Sequence, residues 1–248
     1  MARYLVGIDD TDTKETRGTG FNAREIGKLI EGENIGTIEG IIRHQLFFDP
    51  RIPYTSANSS ASLEVESNDP EKLKQICLDY LNRIAPVGSD VGLCIAKMDT
   101  VTDEVVTWGD RAKVEVLTQY EGRNLASKTG IYLIGLCGTE DGVIGALAAV
   151  GLRKGGNDGR FIWLRGRQEL RDIPSGIYTI GQLKEELHLD KIISLNEDLV
   201  EDTSSVFINE WIRPVHKNHQ KILILEKALN TPNYEWEIAS KDFIKSIS

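Results

Sequence analysis

The chain has 248 residues, 40% of them hydrophobic, and a formal net charge of −9 at pH 7. This length accommodates one large domain or two small ones. The negative charge excludes a protein whose whole surface binds a phosphate backbone, although a local basic patch remains compatible with it. The three cysteines, Cys77, Cys94 and Cys137, lie far apart without a CxxC pair, which excludes a zinc ribbon and a disulfide framework.

Hydrophobic periodicity predicts alternating strands and helices along the chain. In order, these are strand 3–8, helix 21–30, extended segment 38–48, strand 60–66, helix 70–85 and strand 91–96. A mostly polar stretch at 102–124, predicted to be helical, precedes strand 131–137, a helix of small residues at 142–150 and strand 160–164. A turn with a short helix at 176–187 and two strands within 205–227, joined as a hairpin at Lys217, Asn218 and His219, complete the pattern.

The most informative segment is 7–15, where Asp9, Asp10 and Asp12 directly follow an apolar run. Carboxylates this close repel one another unless a cation offsets their charge. Mg²⁺ takes one or two carboxylates and completes its shell with water and substrate phosphates. Two interpretations stay open at this point: a site for a metal and a nucleotide, or a solvated acidic turn, because turns favour Asp and Thr.

Two glycine-rich segments could hold phosphate. Segment 138–151 places Gly142 and Gly145 at the start of a helix, where unpaired N–H groups and partial positive charge attract anions. Segment 151–160 combines glycines with Asn157, Asp158 and Arg160, so backbone N–H groups and a guanidinium could converge on an anion. The alternatives are a helix packed closely on a sheet for the first segment and a flexible connection for the second.

A polar segment at 51–60 contains Asn58 and Ser59 just before a predicted strand. The amide of Asn58 could recognise a base or an amine. Ser and Asn side chains in such stretches also commonly bond the local backbone. We predict that Asn58 and Ser59 contact a substrate.

Three stretches resemble, in the same order, the synthetases that make 2-agmatinylcytidine in an isoleucine tRNA. They are 7–12, the Pro53 and Tyr54 segment that leads into an alternating strand, and 142–151, all within roughly the first 160 residues. The resemblance implies an α/β (α+β) fold in which a kinase-like lobe is interleaved with a ferredoxin-like lobe. It also implies that ATP activates a tRNA cytidine, which an amine then attacks.

The resemblance assigns roles to the residues above. Asp9, Asp10 and Asp12 would hold Mg²⁺ and orient the triphosphate, and Gly142 and Gly145 would lie at the matching helix start. We add Asn157, Asp158 and Arg160 as cofactor-binding residues, and Thr13 and Thr19 as catalytic residues that face the acceptor together with Asn58. The family follows its acidic loop with a pair of threonines, and this chain has Phe21 and Asn22 at those positions.

We therefore predict a nucleotide-binding lobe at 1–58 with 128–195, a ferredoxin-like lobe at 59–127 and a C-terminal β-hairpin extension at 196–248. The predicted activity is that of an ATP- and Mg²⁺-dependent enzyme acting on an RNA base or a small amine-accepting molecule. The alternative is a nucleotide-sensing or RNA-associated binding protein without turnover. The absence of a ~20-residue apolar stretch and of a signal-peptide pattern predicts a cytoplasmic protein with no membrane partner, and we also consider a homodimer.

Overall fold

The computed structural model describes residues 1–55, 57–166, 169–209, 211–229 and 231–248. The chain divides into two compact units, Met1–Gly155 and Gly156–Ser248. The finer division into 1–58 with 128–195, 59–127 and 196–248 remains a prediction.

Unit 1 begins with a β-α-β-β-α-β arrangement. Its elements are β1 (Ala2–Asp9), α1 (Thr19–Gly32), β2 (Gly36–Gln45), β3 (Ser59–Ser67), α2 (Pro70–Ile84) and β4 (Gly92–Lys97). The strands lie in the order β4-β1-β3-β2 and all neighbours are antiparallel, which is the ferredoxin-like order. Strand β1 is central in this arrangement, because it pairs with both β3 and β4.

Three helices and a further strand complete unit 1: α3 (Asp103–Arg111), α4 (Gln119–Thr129), β5 (Tyr132–Gly135) and α5 (Gly142–Gly155). The stretch 102–124 forms two helices rather than one. The second helix starts at a capping box, in which Thr118 and Glu121 bond each other's backbone N–H groups. Strand β5 pairs with β4 at the edge of the sheet.

Close packing fixes α5 on one face of this sheet. The helix is buried along nearly its whole length, and its alanines contribute to a core that includes Leu5, Trp108 and Leu147. A Cβ added at Gly7 would overlap the backbone of Ala146, and one added at Gly92 would overlap the backbone of Gly142. Glycines in β1 and β4 therefore let the helix lie directly against the strands.

Unit 2 is rich in strands. It contains β6 (Arg160–Leu164), β7 (Gly176–Thr179), α6 (Ile180–Glu186), β8 (Lys191–Ser194), β9 (Ser205–Ile208), β10 (Val215–Lys217), β11 (Gln220–Lys227), β12 (Trp236–Ile238) and α7 (Lys241–Ser246). The strands lie in the order β6-β10-β11-β12-β9-β7, and β8 pairs with β11 in parallel.

The predicted hairpin of the C-terminal part is confirmed. Strands β10 and β11 are antiparallel, and Asn218 and His219 between them both have positive φ, 51° and 59°. Two successive residues with positive φ suit the tight turn that matches strand twist. The mixed α/β fold with a C-terminal hairpin thus agrees with the sequence-based expectation. Within the described part of the chain, no helix has the length and apolar character that crossing a bilayer requires.

Candidate functional site

A cleft in unit 1 brings together most of the predicted site residues. It lies between the end of β1, the start of α5 and the connection from β2 to β3, encloses about 160 Å³ and is partly open to solvent. Eight predicted residues line it: Asp9, Asp10, Asp12, Thr19, Asn58, Ser59, Gly142 and Gly145.

At the end of β1, burial and neighbouring carboxylates disfavour the charged forms of two aspartates. Burial, followed by the negative charge of Asp10, raises the pKa of Asp9 from its ordinary value of 3.8 to about 8. Burial and the charges of Asp90, Asp12 and Asp141 raise the pKa of Asp10 to about 6. Asp10 also has a positive φ of 51°, an uncommon backbone conformation. A cation in this part of the cleft would relieve the repulsion.

Asp90 and Asp141 are part of this acidic cluster, and neither of them was predicted from the sequence. Asp90 precedes β4 and accepts a hydrogen bond from the backbone N–H of Thr139. Asp141 precedes α5 and accepts hydrogen bonds from Gln119, at 2.6 Å, and from the Thr139 hydroxyl, at 3.0 Å. Their only sequence signal is an aspartate just before a predicted strand or helix, which is common in any protein.

Asp12 has a different environment, because both of its oxygens accept hydrogen bonds. Oδ1 accepts from the backbone N–H of Thr19 at 3.1 Å and from the Thr19 hydroxyl at 3.0 Å. Oδ2 accepts from the hydroxyl of Thr55 at 3.1 Å. Thr19 is the first residue of α1, so Asp12 satisfies an N–H group at the start of that helix and also binds the β2–β3 connection.

A buried hydrogen-bond network holds the acidic loop in place. The amide of Asn22 donates to the Thr11 hydroxyl at 2.9 Å and to its carbonyl at 3.2 Å, and the Tyr80 hydroxyl donates to the amide oxygen of Asn22 at 3.0 Å. Thr11 in turn donates to Thr19 at 3.2 Å. Asn22 is thus engaged in holding the loop.

Three other predicted residues make local contacts. Asn58 donates from its amide to the Phe47 carbonyl at 2.6 Å, and the Ser59 hydroxyl accepts from Arg43 at 3.0 Å. The Thr13 hydroxyl accepts a long hydrogen bond from the backbone N–H of Glu15, at 3.4 Å, and Thr13 is not among the described residues that line the cleft. The catalytic and substrate roles of these residues remain predictions.

The start of α5 offers fewer free donors than the sequence suggested. The N–H groups of Gly142, Val143 and Ile144 donate to the carbonyls of Asp90, Glu140 and Asp141. A Cβ added at Gly142 would overlap the Asp90 carbonyl, and one added at Gly145 would overlap the Asp9 carboxylate. These glycines therefore have a packing function, which leaves the helix dipole as the contribution of α5 to anion binding.

The remaining predicted residues, Asn157, Asp158 and Arg160, belong to unit 2. The side chain of Asn157 accepts a hydrogen bond from the backbone N–H of Asn218 at 2.8 Å, which ties the glycine-rich loop to the hairpin turn. Asp158 is buried, and Arg160 is the first residue of β6. None of the three lines the cleft of unit 1. Their assignment to a cofactor remains a prediction.

The pair Asp9 and Asp10 is better suited to Mg²⁺, which needs few protein ligands, than to a metal ion that is coordinated entirely by protein side chains. Among the described residues, no three His, Cys, Asp or Glu side chains are placed to bind one metal ion. Mg²⁺ needs only one or two carboxylates when phosphates and water supply the other ligands. The carboxylates of Asp9 and Asp10 suit that requirement, and Asp12 accepts hydrogen bonds from two threonines. The assignment of Asp9, Asp10 and Asp12 to a metal remains a prediction.

Comparisons with known proteins bear on the same fold and motifs. No protein-family model matches the chain. An uncharacterised protein of Methanocaldococcus jannaschii is 28% identical over 153 residues, which are 61% of this chain and 50% of that protein. The solved complex of TiaS with its isoleucine tRNA and ATP has 28% identity and a TM-score of 0.54 over 61% of this chain and 36% of that one.

Two further TiaS structures agree with this similarity. TiaS without ligands, described as a tRNA agmatidine synthetase, has 27% identity and a TM-score of 0.53 over 60% of this chain and 35% of that one. Its complex with the tRNA, AMPCPP and agmatine has the same identity and score over 61% and 36%. The resemblance to the tRNA agmatidine synthetases is confirmed. Agmatidine is 2-agmatinylcytidine, and the similarity spans about a third of the TiaS chain.

Proposed function

We propose that this chain is an ATP-using, Mg²⁺-dependent enzyme related to TiaS, whose acceptor is an RNA base or a small amine-accepting molecule. The observation that carries the proposal is the cleft itself, where Asp9 and Asp10 lie at the end of β1 beside the start of α5. Similarity to TiaS structures that contain tRNA with ATP, or with AMPCPP and agmatine, supports this proposal.

The side chains would act mainly by positioning and by balancing charge, as phosphoryl transfer requires. Asp9 and Asp10 would hold Mg²⁺, which supplies charge neutralisation and a template for the triphosphate. Asp12 would fix the loop by binding Thr19 and Thr55, so that the two carboxylates before it keep their place. The dipole of α5 would add favourable charge for a phosphate beside Gly142.

A binding protein without turnover is the second candidate. Asn22 occupies a position where the related synthetases have a threonine, and its amide is engaged with Thr11 and Tyr80 in the loop network. The Asn22 side chain has no hydroxyl and therefore cannot accept a phosphoryl group as a threonine can. This candidate predicts that ATP binds with Mg²⁺ and is recovered unchanged.

The test compares binding with product formation. We expect calorimetry to show that ATP binds when Mg²⁺ is present, and chromatography to show ADP or AMP release. Asp10→Asn should slow that release by at least ~100-fold, because the metal's charge and templating are lost. A matched control is Asp79→Asn on the exposed face of α2, where the carboxylate accepts a hydrogen bond from Gln75.

The outcomes separate the candidates. Binding without product in the presence of RNA and of amines would favour the binding protein, and full turnover by Asp10→Asn would contradict the metal assignment.

A cytoplasmic location and a homodimer are part of the proposal. Light scattering on the purified full chain tests the homodimer, and a single-chain mass would contradict it.

A further inference from the structure

The cleft is lined by more acidic than basic side chains. Among the described residues that line it, the acidic ones are Asp9, Asp10, Asp12, Glu115 and Asp141, and the only lysine or arginine is Arg51. A triphosphate carries several negative charges, and one divalent cation does not neutralise all of them. A nucleotide in this cleft therefore needs a further positive group, and Arg51 is the one that the described lining provides.

Arg51 is held on the rim by one specific partner. Its Nε donates to Oδ1 of Asp49 at 2.7 Å and its Nη2 donates to Oδ2 at 2.8 Å, so the pair is bidentate. The backbone N–H of Arg51 also donates to Oδ1 of Asp49, at 2.9 Å. Asp49 is partly buried, with 16% of its side chain exposed, whereas the side chain of Arg51 is 72% exposed. Asp49 thus anchors one edge of a guanidinium whose remainder faces solvent.

Two of the five guanidinium N–H groups account for the bonds to Asp49, which leaves the opposite edge available to a second acceptor. A guanidinium presents parallel donors that match the oxygens of a phosphate, and bidentate contacts of this type are strong. Asp49 is not among the described residues that line the cleft.

We propose that Arg51 is a phosphate-binding residue of this cleft, with Asp49 as its positioning residue. This inference rests on the proposed use of ATP and assigns the contact to the outer phosphates, beyond the Mg²⁺ site at Asp9 and Asp10. The guanidinium edge not used by Asp49 donates to phosphate oxygens. Asp49 keeps the side chain at the mouth of the cleft, which reduces the rotamer freedom that binding would otherwise remove.

Calorimetry on the full chain with ATP, ADP, AMP and inorganic tripolyphosphate, each with Mg²⁺, tests this assignment. Arg51→Ala should weaken ATP binding at least ~10-fold and AMP binding much less, because the lost contact is to the outer phosphates. Arg51→Lys should recover part of the affinity, since an ammonium group supplies the positive charge but not the parallel N–H donors of a guanidinium. Asp49→Asn should weaken ATP binding by a smaller factor, about 3-fold, because Arg51 is retained but less well positioned.

The dependence on phosphate number distinguishes phosphate contact from a structural role. Equal losses for ATP and AMP in Arg51→Ala, or no loss for ATP, would overturn the assignment. Lys128→Ala, at an exposed position of α4 outside the described lining, is the charge control and should leave ATP affinity unchanged. If the unaltered chain binds tripolyphosphate but not ATP, the proposed function fails and the Arg51 assignment is still tested with tripolyphosphate. If it binds neither, both are overturned.

Discussion

The two ends of the acidic loop differ in electrostatic balance. Asp9 and Asp10 are crowded by other carboxylates, and both have raised pKa values. Asp12, two residues further on, accepts hydrogen bonds from Thr19 and Thr55. The first pair is left with repulsion that an added cation can relieve, whereas Asp12 contributes to the fold by capping α1. Neighbouring residues of one type therefore differ in role because their partners come from distant parts of the chain.

The largest expected difference between the two ends is in pH dependence. The folded protein binds the Asp9 proton more tightly than the unfolded chain, because the pKa rises from 3.8 to about 8. This contribution to stability is fully present below the unfolded value and is lost as pH rises through the folded value. We expect unfolding experiments to show a loss on the order of 3 kcal/mol between about pH 5.5 and 8.

Asp9→Asn should remove most of this pH dependence. Added Mg²⁺ should stabilise the unaltered protein more at about pH 8 than at about pH 5.5, because the Asp9 carboxyl group must lose its proton to bind a metal. Asp12→Asn, as the control from the other end of the loop, should retain the slope. Identical slopes for Asp9→Asn and the unaltered protein would contradict the electrostatic difference.

A second experiment tests the close approach of α5 to the Asp9 end. Gly145→Ala places a Cβ where the Asp9 carboxylate lies. We expect a loss of about 2 kcal/mol in the free energy of unfolding, since overpacking forces side chains and backbone apart. Gly32→Ala at the end of α1 is the control, because a Cβ there meets no heavy atom within 4 Å. Urea unfolding measures both, and equal stabilities would show that Asp9 does not lie against Gly145.

The smallest expected effect is at the other end of the loop. Asp12→Ala removes the acceptor for the first N–H group of α1 and should cost about 1 kcal/mol, as the loss of other helix caps does. Asp10→Asn should preserve or raise the stability of the metal-free protein, because it removes one of the repelling charges. Thermal unfolding in EDTA compares them. A larger loss for Asp10→Asn than for Asp12→Ala would reverse the roles that we assign to the two ends.

Much of the fold followed from local sequence signals. The helix predicted from residue 70 starts at Pro70, and the Asp69 carboxylate before it accepts the Lys72 N–H at 3.0 Å. The hairpin turn at Asn218 and His219 also agrees with the prediction. Such signals are reliable because capping and turn chemistry depend on only a few neighbouring residues. The break between α3 and α4 was missed, although Thr118 and Glu121 have the spacing of a capping box.

The amino-acid sequence by itself determined that an acidic loop follows β1 and that a helix of small residues begins near Gly142. Only the tertiary structure decided which aspartates repel and which are satisfied, because Asp90, Asp141 and Thr55 reach the loop through strand pairing and helix packing. It also showed that Gly142 and Gly145 serve the contact between α5 and the sheet. Charge balance at a site depends on distances between residues far apart in the chain, and local sequence patterns do not contain those distances.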